Sequence, residues 1–443
     1  MTRYILDLND SGVRISNDSG IAASSPGYAV IFEDTLHIGL AAEQNARLHP
    51  RHTYNRFWLN LSQNHPLALP TTRFRHHADI AYEHLRTLHE QAGKPEEMIL
   101  AVPGNYSREQ LALILGIAQA LPFKATGLVD SAVASAAAIA SPGRYQHIDI
   151  LLHQTILTII ESGSRVDRHT VDTIENGGIT AVYDATASLI ADLFILNCRF
   201  DPMHHAETEQ IVYNQIPNCL KQLSVHPEVQ VEIQHRGVRN QIRLARTTLI
   251  ERLDSFYQGV LQRLDPSCSI LLSERTALLP GFASLIPEAV SLDAGTLYNG
   301  CQEHLSSITS SGPQLTFVTN LPSPMNPVIS TKTPLSNKQT DTQTRQARQA
   351  THLLSSHCIY PLQQVPVYLS TRGSVHSTRQ DTTACSLVVS SFHAVITPTS
   401  DIRMYVNGDY LTGARTVYAG DKLSFAGYDT VYTLVRLVNS DVA

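Results

Sequence analysis

The chain has 443 residues, of which 43% are hydrophobic and 16% are charged, and its formal net charge is -6. This length predicts two or three domains with cores of their own, and the composition is too apolar for a disordered chain. The negative balance argues against a nucleic-acid-binding protein, because phosphate neutralisation needs clustered Lys and Arg. We expect neither a membrane span nor a signal peptide, and therefore a cytoplasmic protein.

Strand and helix patterns alternate through residues 1–311. Apolar runs predict short strands at residues 3–8, 12–15, 29–32 and 35–38, then a helix over 78–92 and a buried strand over 98–102. Further along, the patterns predict a helix over 107–121 with Ser107 as its N-cap, a strand over 126–129, an alanine-rich helix over 132–140 and a β-hairpin over 148–160. The order predicts an α/β domain.

The composition changes twice in the last third of the chain. Residues 312–348 are rich in Ser, Thr, Pro, Asn and Gln, which predicts a flexible linker. Residues 349–443 form a third segment, where short strands are predicted at 365–369, 386–389, 393–396, 403–406, 422–425 and 431–438. This spacing predicts a small all-β domain, a sandwich or a barrel.

The cysteines and histidines do not predict a metal site. None of the six cysteines forms a Cys-x-x-Cys pair, which is the spacing typical of zinc and thioredoxin-type redox motifs. The pairs His76-His77 and His204-His205 have no further ligand at a suitable spacing. We therefore predict free thiols and surface histidines.

Several segments of the first domain resemble, in order, the nucleotide-binding domain of DnaK-type heat-shock (heat-shock protein 70) chaperones and, more distantly, actin. These are YILDLNDSG (residues 4–12), IGLAAEQNARLHP (38–50), AVPGNYSREQLALILGIAQA (101–120), LVDSAVASAAA (128–138), ENGGITAVYDATASLI (175–190) and LLSERTALLPGFASLI (271–286). The resemblance implies a two-lobed α/β actin-like ATPase fold over residues 1–311.

The same resemblance implies a nucleotide site. Asp7 would ligate magnesium through water, and Asp130 would orient the attacking water. The nucleotide itself would contact Asp7 and four further residues: Thr155, Gly177, Gly178 and Gly281. Each residue also has a purely structural interpretation, with Asp7 capping a turn, Asp130 capping the alanine-rich helix, and the paired glycines making a tight turn.

Three loops depart from the family pattern. Asn9 and Asp10 replace a glycine and its hydroxyl neighbour in the first phosphate loop, and Leu152, His153 and Gln154 replace the glycines of the second. Glu274 and Arg275 replace the two glycines of the adenosine loop. Because phosphate loops use glycine for close backbone approach, these changes favour a pseudo-ATPase.

The C-terminal segments VVSSFHAVI, YVNGDYL and AGDKLSF resemble a forkhead-associated domain. The matching residues are Ser390, His393, Asn407, Gly408, Gly420 and Asp421. The family binds phosphothreonine, which implies a partner-binding role for Arg372, Ser390, Ser391, His393 and Asn407. Arg372 precedes Gly373 rather than following a glycine, so a β-module that only mediates assembly stays open.

The first functional hypothesis is a non-catalytic scaffold or regulatory protein that binds protein partners, including a phosphopeptide through its last domain, and needs no cofactor. The alternative is a divergent ATPase that uses Mg-ATP as a slow, chaperone-like conformational switch. A filament-forming or membrane-machinery adaptor is a third hypothesis, by fold analogy. We do not expect client folding, because the substrate-binding sandwich and helical lid of DnaK have no counterpart. Arg275 or His153 in the phosphate or base space would favour the scaffold.

Overall fold

The computed structural model of the chain divides into two compact units, Met1–Lys332 and Thr333–Ala443. In the first unit, the structure describes residues 3–32, 35–63, 66–139, 141–286, 288–309 and 315–323. In the second unit, it describes residues 352–355, 358–361, 367–371, 374–376, 383–389, 394–398, 403–406, 409–411, 415–417 and 421–435.

The first unit is a mixed α/β domain with two six-stranded sheets. Its strands are β1 (Tyr4–Asp7), β2 (Val13–Asn17), β3 (Gly20–Ser25), β4 (Ala29–Phe32), β5 (Thr35–Ile38), β6 (Thr53–Tyr54), β7 (Glu97–Val102), β8 (Lys124–Asp130), β9 (Gly143–Ile150), β10 (Gln154–Ser162), β11 (Arg165–Glu175), β12 (Glu228–His235), β13 (Val238–Ala245), β14 (Ser269–Leu272), β15 (Val290–Ser291), β16 (Phe317–Val318) and β17 (Asn320–Pro322). Its helices are α1 (Leu40–Glu43), α2 (His77–Gln91), α3 (Arg108–Ala120), α4 (Ser131–Ala137), α5 (Ile179–Cys198), α6 (Ala206–Leu223), α7 (Arg246–Leu261), α8 (Glu274–Ala277), α9 (Thr296–Glu303) and α10 (Leu305–Ile308).

Five strands of each large sheet have the same arrangement, and the sixth extends opposite ends of it, since β16 pairs parallel with β8 whereas β17 pairs antiparallel with β11. The first has the strand order β16-β8-β7-β1-β2-β3, in which β1, β2 and β3 form an antiparallel meander and β7 and β8 run parallel to β1. The second has the order β15-β14-β9-β10-β11-β17, in which β9, β10 and β11 form the meander and β14 and β15 run parallel to β9. The first unit therefore consists of two halves with one repeated topology.

Each half has its own core, and a third cluster lies between the sheets. The helices α2 and α3 pack on the first sheet, and α5, α6 and α7 pack on the second. The alanine-rich α4 is fully buried in the third cluster, which also contains residues of β1, β7, β9 and β14. Gly300 of α9 packs so closely on α4 that a Cβ atom there would stand 1.9 Å from the carbonyl oxygen of Ala134. Small side chains thus permit close packing at the centre.

The structure confirms many of the predicted elements of the first unit. The helices predicted over 78–92 and 107–121 are α2 and α3, and Ser107 caps α3 by accepting a hydrogen bond from the Gln110 amide at 3.2 Å. The hairpin predicted over 148–160 is the β9–β10 pair. Within residues 312–348, which composition assigned to a linker, β16 and β17 pair with β8 and β11. Sheet edges offer backbone hydrogen bonds whatever the side chains, so composition did not reveal these strands.

Helix α5 has the length and mean hydropathy of a membrane span, which the sequence prediction overlooked. It carries Asp184 and Asp192, and its buried face, with Val182, Ile190 and Phe194, belongs to the core of the second half. A core helix of a globular domain meets the same length and hydropathy criteria as a membrane span. We therefore interpret α5 as a core helix.

The second unit consists of antiparallel strands. They are β18 (His352–Ser355), β19 (Cys358–Pro361), β20 (Val367–Ser370), β21 (Val375–His376), β22 (Thr383–Val389), β23 (Ala394–Pro398), β24 (Met404–Val406), β25 (Asp409–Tyr410), β26 (Arg415–Val417), β27 (Lys422–Phe425) and β28 (Tyr428–Val435). One sheet has the order β19-β18-β28-β27-β24-β25 and the other β21-β20-β22-β23-β26, and both contribute to one core. The Tyr432 hydroxyl joins the sheets by donating to the Ser370 carbonyl at 2.8 Å. The all-β prediction for this segment is confirmed.

Candidate functional site

The predicted nucleotide residues lie where the two halves of the first unit meet. Asp7 is the last residue of β1, and its carboxylate is largely buried. Oδ2 of Asp7 accepts a hydrogen bond from Nη2 of Arg275 at 2.8 Å, and the two side chains form an ion pair with only 11% and 14% of their surfaces exposed. Nη2 of Arg275 also donates to the Gly12 carbonyl at 2.8 Å. Arg275 therefore connects α8 of the second half to the β1–β2 turn of the first.

Asp10 in the same turn binds the second predicted phosphate loop. Its Oδ1 accepts a hydrogen bond from the Leu152 amide at 2.8 Å, across 142 positions of sequence. Burial raises the pKa of the Asp10 carboxyl to about 6, and the charge of Asp149 adds to this, although the Leu152 hydrogen bond opposes it. The carboxylate thus accepts the Leu152 amide, a backbone donor in the loop to which the resemblance assigned phosphate binding.

The β9–β10 turn is closed by contacts within the protein. The carbonyls of Leu151 and Leu152 accept the Ile179 and Thr180 amides, at 2.9 Å and 3.0 Å, so two of the first donors of α5 are already bound. Nε2 of His153 lies 2.9 Å from the Asn55 carbonyl, and Nδ1 lies 3.3 Å from the Thr180 hydroxyl. The N-terminus of α5 therefore caps the turn.

The glycine pair before α5 serves this close packing. A Cβ atom on Gly178 would stand 2.5 Å from backbone atoms of His153 and Gln154, and one on Gly177 would stand 2.7 Å from the Ile174 side chain. The hydroxyl of Thr155 donates to the Gly177 carbonyl at 2.6 Å. These three predicted site residues are brought together, and their contacts are with one another, the β9–β10 turn and the end of β11.

Asp130 is fully buried at the start of α4. Its Oδ1 accepts the amides of Ala132 and Val133, as its capping interpretation requires, and Oδ2 pairs with Arg168 of β11 at 2.8 Å. Burial raises the pKa of Asp130 even though Arg168 opposes it. Gly104 leaves room for this pair, because a Cβ atom there would stand 2.7 Å from the carboxylate.

Gly281 lies away from the two phosphate-loop turns. It has a φ of +78°, and a Cβ atom there would stand 2.4 Å from the Ile250 side chain. The neighbouring Pro280 carbonyl accepts the Tyr257 hydroxyl at 2.7 Å. This turn requires glycine for its backbone conformation and packing.

The sequence interpretation missed Asp149, a carboxylate near the end of β9. Nδ2 of Asn9 donates to its Oδ2 at 2.8 Å, while its buried Oδ1 has no hydrogen-bond partner among the residues described. His147 is buried beside it and its pKa is lowered by burial, against the charges of Asp149, Asp130 and Asp7. Because β1 and β9 occupy matching places in the repeat, Asp149 is the counterpart of Asp7. An alignment of the two halves could have found it.

No metal centre is indicated where these carboxylates meet. In the described part of the chain, no three His, Cys, Asp or Glu side chains are grouped so that they could hold a metal ion. Arg275 is the positive group beside Asp7, and Arg14 pairs with Glu274 close by at 2.5 Å. The cleft around them has a volume of only about 50 Å³, and its lining also includes Ser131, His147 and Asp149.

The five predicted partner-binding residues of the second unit (Arg372, Ser390, Ser391, His393 and Asn407) lie outside the described residues. The strands around them are described. Ser370 pairs with Thr383 at one end of β22, and Val389 pairs with Ala394 at the other end. A strand of this length spans about 20 Å.

No protein-family model matches the chain, and no curated protein matches it.

We predict strong coupling between Asp7 and Arg275. Removing one partner leaves a buried charge unpaired, so Asp7→Ala and Arg275→Ala should each lower the free energy of unfolding by about 3 kcal/mol. The double variant should lose much less free energy of unfolding than the two single variants lose together. Chemical denaturation of the four proteins measures the coupling. The half-exposed pair Arg263–Asp172, at 2.9 Å, is the matched control and should show at most about 1 kcal/mol. Equal coupling in the two pairs would contradict the buried bridge.

Asp10→Asn should gain stability over the natural protein as the pH rises. The folded-state pKa of about 6 is above the ordinary aspartate value of 3.8, so the folded state binds the proton more tightly, and stability is lost as pH rises through 6. Asparagine keeps an oxygen for the Leu152 amide without the charge. From pH 5 to pH 8, chemical denaturation should show that the free energy of unfolding of the variant rises by about 1 kcal/mol relative to that of the natural protein. The exposed Asp254→Asn should show no such trend, and a flat difference for Asp10→Asn would contradict the assignment.

Proposed function

We propose that the chain is a non-catalytic scaffold or regulatory interaction protein: a pseudo-ATPase of DnaK-like and actin-like fold joined to a forkhead-associated-like partner-binding domain. The bridge from Arg275 to Asp7 carries the proposal. We propose a cytoplasmic protein that acts on protein partners without a bound cofactor.

The repeated topology supports the actin-like assignment of the first unit. The resemblance implies two lobes with a ligand cleft between them, and the two halves here share one strand order, with the turns after β1 and β9 facing each other. The quoted segments lie at the corresponding places: residues 4–12 form β1 and its turn, and residues 271–286 include β14 and α8. The assignment rests on this agreement of order.

The contacts of the three loops support the loss of nucleotide binding. A phosphate group between the turns would meet the carboxylate of Asp10 and the β9–β10 turn already capped by α5. Magnesium at Asp7 would have to displace Arg275, and separating such a buried pair costs about 3 to 5 kcal/mol, or about two to four powers of ten in affinity. The carboxylates of Asp7 and Asp10 thus already have partners within the protein and do not need a nucleotide to supply them.

The all-antiparallel second unit supports a partner-binding domain. Two sheets with one core are the architecture that the resemblance to forkhead-associated domains implies. Arg372, which would meet a phosphate, follows the described end of β20, and Ser391 follows the described end of β22. We propose that the domain recruits a partner and that Arg372 contacts its phosphothreonine.

Calorimetric titration tests the pseudo-ATPase. We expect no heat of binding from ATP or ADP with magnesium up to millimolar concentration, in protein shown to be folded and free of nucleotide, because Arg275 and Asp10 occupy the phosphate contacts. Asp7→Ala serves as the site control. Micromolar binding that this variant abolishes would overturn the proposal in favour of the ATPase switch.

Fluorescence anisotropy with a degenerate phosphothreonine peptide library tests the second unit in the full chain. We expect phosphate-dependent binding that Arg372→Ala weakens about tenfold, since a charge-assisted contact to phosphate is lost. The exposed Arg403 gives the control variant, Arg403→Ala, which should bind normally. Binding that ignores the phosphate would leave a module that only mediates assembly.

A further inference from the structure

A second, larger cleft lies beside the β1–β2 turn. It has a volume of about 460 Å³, and Ser11, Gly12, Ile150 and Arg275 form the end nearest this turn. The two halves of the first unit both contribute to its walls. Small-molecule pockets have volumes of about 300 to 1,000 Å³, so this cleft is large enough for such a ligand.

The walls of this cleft are mainly apolar and aromatic. They include Leu40, Ile179, Tyr183, Tyr213, Leu278 and Leu279. Leu40 and Leu278 are 58% and 41% exposed, although large apolar side chains are usually covered. Because these two leucines come from different halves and line the same cleft, a ligand with an apolar body would cover both.

The charged groups that line the cleft differ in whether they already have a partner within the protein. Arg14 pairs with Glu274 and Arg275 pairs with Asp7, so neither cation is available for an anionic ligand. Lys221 is exposed at the cleft and is therefore solvated. Glu43 remains, on the short helix α1.

Glu43 is half-buried and lies in the wall of the cleft, as Tyr183 does. Burial raises the pKa of its carboxyl to about 7, and among the described residues no hydrogen bond or ion pair acts to lower it. Burial and then the charge of Glu43 raise the pKa of Tyr28 to about 12, and the same two causes raise the pKa of Tyr183. A half-buried carboxylate without a protein donor is stabilised by a ligand that brings one.

We propose that this cleft binds a compact hydrophobic amine, with the ammonium group against the Glu43 carboxylate and the apolar body between Tyr183, Leu40 and Leu278. An ammonium ion supplies the missing donor and the opposite charge, and the tyrosine rings also favour a cation. The inference rests on the proposed function in one respect: no nucleotide occupies the cleft.

The test uses three probes that share an indole body but differ in charge: tryptamine, 3-ethylindole and indole-3-propionate. Calorimetry with the full chain at pH 8, where Glu43 is ionised, should rank tryptamine first, with indole-3-propionate at least tenfold weaker. Glu43→Gln should weaken tryptamine about tenfold and leave 3-ethylindole unchanged. Glu207→Gln, an exposed acid on α6, is the matched control and should bind as the natural protein does.

A wall variant tests the position of the ligand independently of Glu43. Leu278→Gln should weaken tryptamine and 3-ethylindole alike, several-fold, because both bury the same apolar wall. Equal binding of tryptamine and indole-3-propionate, no effect of Glu43→Gln, or no tryptamine binding at millimolar concentration would each overturn the inference. ATP titrated into the same samples separates the two proposals. If neither ATP nor tryptamine gives a heat of binding, only the amine site is rejected. If ATP binds and Asp7→Ala abolishes that binding, the pseudo-ATPase is rejected.

Discussion

The ion pair between Arg275 and Asp7 joins two elements that are 268 positions apart in sequence. It is buried, so each charge depends on the other, and the geometry is strengthened by the second bond from Arg275 to the Gly12 carbonyl. The turn after β1 must therefore stay close to α8. Asp10 in the same turn binds the β9–β10 turn through the Leu152 amide.

The repeated topology explains why polar groups concentrate here. In each half the first strand ends at the centre of the unit, so Asp7 and Asp149 meet, and the turns that follow them face each other. Facing turns expose backbone donors and carboxylates, which need partners once they are buried. The chain supplies these partners from its own side chains: Arg275 to Asp7, Asn9 to Asp149, and Asp10 to the β9–β10 turn.

Local signals were enough to predict many individual elements. Ser107 with Gln110 predicted the start of α3, and the spacing of short apolar runs in the last segment predicted an all-β domain. The site was only partly accessible from local signals. Asp7, Asp130 and the glycine pair were selected by motif order, but Asp149 was missed because the two halves of the first unit were not aligned with each other. The strands β16 and β17 were missed because they pair with strands that lie about 150 to 190 residues earlier.

The amino-acid sequence by itself determined the α/β character of the first domain and the all-β character of the last. These properties follow from periodicity and capping residues, which act over a few neighbouring positions. Only the tertiary structure decided what the charged side chains of the first unit contact: Arg275 became the partner of Asp7, Asp10 the acceptor for Leu152, and Glu43 a half-buried acid without a partner among the described residues. A charge is costly or stabilising according to what folding places beside it, and that neighbour lies far away in sequence.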